Sequence, residues 1–73
     1  MNNPEPDQKD IDFVIAIFSK GQYQKALDEA LEIMKRSQQN AILHNITGAC
    51  YMQLGKLNSA VNSFNDAIII KPD

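Results

Sequence analysis

Apolar positions along the chain fall into four clusters separated by polar or glycine-containing breaks. The second cluster is the clearest. Tyr23, Ala26, Leu27, Ala30, Ile33 and Met34 stand at offsets 0, 3, 4, 7, 10 and 11, which is one face of an α-helix. Lys25, Asp28, Glu29, Glu32 and Arg36 occupy the opposite face. Lys25–Glu29 and Glu32–Arg36 are opposite charges four residues apart and are expected to pair along it. The fourth cluster, Leu57, Ala60, Val61, Phe64, Ala67 and Ile68, repeats the same offsets. Ile42, Leu43, Ile46, Ala49 and Cys50 predict a third helix reaching about Leu54, with Asn40 as its N-cap. Pro72 ends the fourth helix, because proline disfavours helical backbone in the residue before it.

The first cluster, Ile11–Phe18, is ambiguous by itself. Its β-branched and aromatic content suits a strand, and periodicity does not decide so short an apolar run. The two halves of the chain decide it. Gly21 and Gly55, Tyr23 and Leu57, Ala26 and Ala60, Leu27 and Val61, and Met34 and Ile68 are each separated by 34 residues. Segment 11–18 therefore aligns with 45–52, which contains Gly48 and alternates poorly as a strand, so both read as helices. Asp7 is the candidate N-cap of the first. Large and small residues trade places between halves, Ala30 with Phe64, Ile33 with Ala67 and Phe13 with Thr47. Volume lost at one level of a stack is recovered at the next. The expected organisation is a lead-in of residues 1–6 and two helical hairpins, 7–40 and 41–73. The fold class is all-α, with two stacked helix-turn-helix repeats and four antiparallel helices of α-solenoid type.

Composition narrows the function. The chain has 73 residues, which bounds it to one domain at most. Seven Lys and Arg against nine Asp and Glu leave a net charge of −2, which argues against a nucleic-acid partner. The start carries no basic stretch before an apolar run, so it does not read as a signal peptide. No apolar run approaches the roughly 20 residues that span a bilayer. A cytoplasmic protein without a membrane partner is expected. The single cysteine, Cys50, excludes an internal disulfide and a cysteine-based zinc site. His44 and Cys50 point about 120° apart on a helix and do not share a metal or make a nucleophile–base pair. Asp28 and Glu32 read as a solvated face. No catalytic residue, metal site or cofactor is expected, and the chain does not read as an enzyme.

A helical hairpin of 34-residue period resembles the tetratricopeptide repeat. The second half carries the pattern best: Gly48, Ala49 and Tyr51 in its first helix, Gly55 at the turn, Ala60, Phe64 and Ala67 in its second helix, and Pro72 at the close. The first half is degenerate but keeps Gly21, Tyr23 and Ala26. The resemblance implies a protein-interaction module whose first helices line a concave groove for a peptide or partner segment. On this chain the groove positions are Ile11, Ile15 and Phe18, their equivalents Asn45, Ala49 and Met52, and Ile42 on the same rows. Ile11 and Ile15 stand where chaperone-binding relatives carry basic residues, so a clamp for a terminal carboxylate is not expected. Burial of Ile11, Ile15 and Phe18 by the chain's own N-terminal segment, or by self-association, is the competing reading.

The fourth helix ends in Ile68-Ile69-Ile70, which covers more of its circumference than one neighbouring helix hides. Phe64, Ile68, Ile69 and Ile70 are therefore expected to meet either a further repeat or another copy of the chain, most simply in a dimer. The alternative function, from a different class, is the N-terminal portion of a multidomain enzyme such as a transferase, recruiting its substrate or partner.

Overall fold

The computed structural model describes residues 8–37 and 40–72. The Asp7 cap and the lead-in of residues 1–6 lie outside the described residues. Four helices follow one another: α1 (Gln8–Ser19), α2 (Tyr23–Met34), α3 (Ala41–Gln53) and α4 (Leu57–Ile70). Among the described residues there is no strand, and the β-branched run 11–18 lies within α1. Its apolar residues favour a helix because Ile11, Val14 and Ile17 then share one buried stripe.

The 34-residue period extends to individual backbone hydrogen bonds. After α1, the amide of Gly21 donates to the carbonyl of Phe18 at 2.9 Å, and that of Gln22 donates back to Ile17 at 3.3 Å. After α3, the amide of Gly55 donates to Met52 at 3.1 Å and that of Lys56 to Tyr51 at 2.8 Å. Each pair is a Schellman closure, which turns the chain through one left-handed residue. Gly21 and Gly55 supply it, at φ of 81° and 79°. The amides of Ala26 and Ala60 then donate to Gln22 and Lys56 as α2 and α4 begin. The α3 cap is the one foreseen: Asn40 Oδ1 accepts from the Leu43 amide at 2.9 Å.

The helices stack in order. α1 packs on α2, α2 on α3 and α3 on α4, and α1 also touches α3, while α4 touches α3 alone. The central core joins Ile11, Val14 and Ile17 of α1 to Ala26, Leu27, Ala30 and Ile33 of α2 and Leu43 and Cys50 of α3. Phe18 and Tyr23 close its turn end edge to face, with ring centroids 5.0 Å apart.

The exchange of large and small residues is visible where α3 meets α4. A Cβ built on Gly48 would lie 2.6 Å from Cε1 of Phe64, closer than real side chains approach. The missing side chain thus makes room for the ring. The equivalent positions of the first hairpin, Val14 and Ala30, are both fully buried, with the larger residue on the other helix.

The polar faces differ from expectation at both charge pairs. Glu32 pairs with Lys35 at 2.9 Å, three residues on, instead of with Arg36. Arg36 crosses to α1 and meets Asp10 at 2.9 Å. Among the described residues, Lys25 and Glu29 form no ion pair. The cross-helix contact was invisible to a reading of α2 alone, because it depends on how α1 lies against α2.

Candidate binding groove

α1 and α3 are first helices of their hairpins, and they lie in contact. Their shared outer face bears an open hollow of about 240 Å³, lined by Ile15, Phe18, Ile42, Asn45, Ile46 and Ala49. Five of these were singled out from the sequence. Ile15 is 44% and Ile42 51% exposed, large values for aliphatic side chains. Asn45 is also exposed and contributes the one polar side chain to this wall.

Two of the expected groove residues do not line the hollow. Ile11 is only 4% exposed and belongs to the central core. At about 100° per residue, it sits roughly 40° around α1 from Ile15. That rotation carries it to the side of Val14, toward α2, so it is a packing residue and not a groove residue. Met52, 48% exposed, lies outside the lining as well. Ile46, in turn, belongs by its spacing to the packing stripe of α3. It is half-buried, packs against the core and presents its remainder to the hollow. Its position one turn after Ile42 was the available signal.

A second hollow of about 300 Å³ adjoins the first. Ala41, Ile42 and Asn45 of α3 form one wall, and Ala67, Ile68, Lys71 and Pro72 the other. Ile42 and Asn45 are common to both. The two hollows thus follow α3 toward its N-terminus and the end of α4.

The residues of α4 expected on an association surface divide. Ile68 and Ile69 are 57% and 76% exposed. Ile70 and Phe64 are half-buried, and the Phe64 ring is committed in part to Gly48. Phe64 is therefore first a packing residue of the second hairpin, because the glycine opposite it leaves a space that only a large side chain fills.

His44 and Cys50 have separate surroundings. His44 is half-buried, with Nδ1 4.0 Å from Asp66 of α4. Cys50 is fully buried, and desolvation pushes its thiol up from its ordinary pKa of 9.0. A thiol held protonated in a core is a small apolar packing group, not a nucleophile.

No family model matches the chain, and no solved structure matches it. Over 56 residues, 77% of its length, it is 34% identical to anaphase-promoting complex subunit 3 of Dictyostelium discoideum. The chain spans about 6% of the length of that protein. No helix among the described residues is long and apolar enough to cross a membrane.

Proposed function

We propose that this chain is a protein-interaction module that holds an apolar, extended segment of a partner protein across the α1–α3 face. The observation that carries the reading is the open hollow lined by Ile15, Phe18, Ile42, Ile46 and Ala49, with Asn45 beside them. A soluble domain seldom leaves contiguous large apolar side chains around a concavity unless something fills it. An extended peptide leaves its backbone amides and carbonyls unpaired, and the Asn45 side-chain amide supplies both a donor and an acceptor for them. The 34-residue hairpin period and the matched turns support a tetratricopeptide-like array, whose first helices serve this purpose. Similarity to a subunit of a multiprotein complex supports protein partners.

The test is a backbone-amide shift titration with a panel of uncharged apolar peptides held extended by proline. Saturable shifts clustered at Ile15, Asn45, Ile46 and Ala49 are expected, and Ile15→Glu should abolish them while preserving helix content. Shifts confined to α4, or none across the panel, would overturn the reading.

A further inference from the structure

The α1–α3 hollow has a size, a stiffness and a polarity that together select one kind of side chain. A closed cavity of about 150 Å³ lined by aliphatic and aromatic groups takes a benzene ring. This hollow holds about 240 Å³, which leaves room for a second fused ring. Ala49 keeps that space open, standing where the first hairpin has Ile15. The walls do not close down on a thinner guest. Ile15, Ile42 and Ile46 are β-branched and stiff at χ1. The Phe18 ring is held edge to face by Tyr23.

No charged residue contributes to the lining, so a charged guest would lose hydration without gaining a partner. The complement of this hollow is therefore uncharged. Asn45 is its one polar side chain and is exposed, which places it at the mouth. Among the described residues its amide makes no side-chain hydrogen bond. Its oxygen can accept from a guest while its NH2 group stays available to a backbone carbonyl of the partner. A guest that fits has two fused rings, no charge and one polar hydrogen at its outer edge. Tryptophan is the side chain of that description. Tyrosine carries the polar hydrogen on a single ring and underfills the space.

Resting on the groove reading above, we infer that the hollow is an anchor pocket for a tryptophan of the partner segment. The indole N–H donates to Asn45 Oδ1, and the rings lie over Ala49 between Ile15, Ile42 and Phe18. A large aromatic anchor seated in an apolar pocket carries a disproportionate share of an interface's binding energy.

The test uses one extended, proline-containing, uncharged host peptide with tryptophan, 1-methyltryptophan or leucine as its single guest residue. Each is titrated into the full chain and followed by backbone-amide shifts. The tryptophan guest should bind tightest, with intermolecular NOEs from its ring protons to the methyls of Ile15, Ile42 and Ala49. The 1-methyltryptophan guest should bind at least about threefold more weakly, the worth of one neutral hydrogen bond. That difference should vanish in Asn45→Ala, which changes an exposed side chain and leaves the core untouched. Ala49→Leu should abolish the tryptophan shifts by filling the floor, with helix content checked by circular dichroism. A leucine guest that binds at the same residues as tightly as tryptophan would overturn the anchor while leaving the groove in place. An unchanged gap between the two indoles in Asn45→Ala would overturn the assigned hydrogen bond and with it the choice of tryptophan. No shift with any guest would overturn both the anchor and the groove.

Discussion

Gly48→Ala separates close helix packing from helix propensity, because the two predict opposite signs. An alanine in a helix interior is favoured over glycine by about 1 kcal/mol. Against this, the new methyl would stand 2.6, 2.7 and 2.9 Å from three carbons of the Phe64 ring. The ring must retreat by most of an ångström, and overpacking of that kind costs about 1–3 kcal/mol. Phe64 is half-buried, so the ring has room to yield outward, which places the cost near the middle of the range. The net expectation is a loss of about 1 kcal/mol, or a fall in Tm of about 5 °C for a domain of this size. Thermal unfolding followed by circular dichroism measures it. The stronger test is a cycle that copies the first hairpin, where Val14 and Ala30 stand at these positions. Gly48→Val alone should be worse than Gly48→Ala, and Phe64→Ala alone should cost about 2 kcal/mol because only part of the ring is buried. The double variant should recover at least about 1 kcal/mol of their sum, as expected for residues in contact. A higher Tm for Gly48→Ala, or additivity in the cycle, would refute the account of α3 and α4 as packed through this pair.

Three further outcomes follow from local chemistry. Gly21→Ala and Gly55→Ala have open space around the new methyl but must hold a left-handed backbone, so each should lose about 1 kcal/mol in urea unfolding, with asparagine at either site losing less. Asn40→Ala removes the side chain that accepts from the Leu43 amide and should lower stability by about 0.5–2 kcal/mol, most of it recovered by Asp or Ser. Cys50 has its pKa raised by burial, so its contribution to stability is fully present below its ordinary 9.0 and is lost as pH rises through the folded value; unfolding midpoints compared with Cys50→Ala should diverge only in alkaline solution, and thiol labelling at neutral pH should run at the rate of global opening.

The helices, their order and their pairing were legible in the residues, since a 34-residue period carries the same information twice. Ile11–Phe18 shows the value of that redundancy: its composition favours a strand, yet its register with a glycine-containing segment makes it helical. The Asn40 cap and the two turn glycines were legible because caps and turns are decided by a few adjacent residues. Orientation about each helix axis was not. Whether Ile11 faces the groove or the core turns on a rotation of about 40°, which the packing of α1 against α2 decides. Arg36 finds Asp10 instead of Glu32 for the same reason: its partner comes from a neighbouring helix and not from its own. Phe64 stands both in the packing pattern of the second hairpin and on the expected association surface, and only the contact of its ring with Gly48 decides that it packs first. Periodicity specifies which residues share a face; only the tertiary structure decides which neighbour that face meets, because burial is a property of two surfaces.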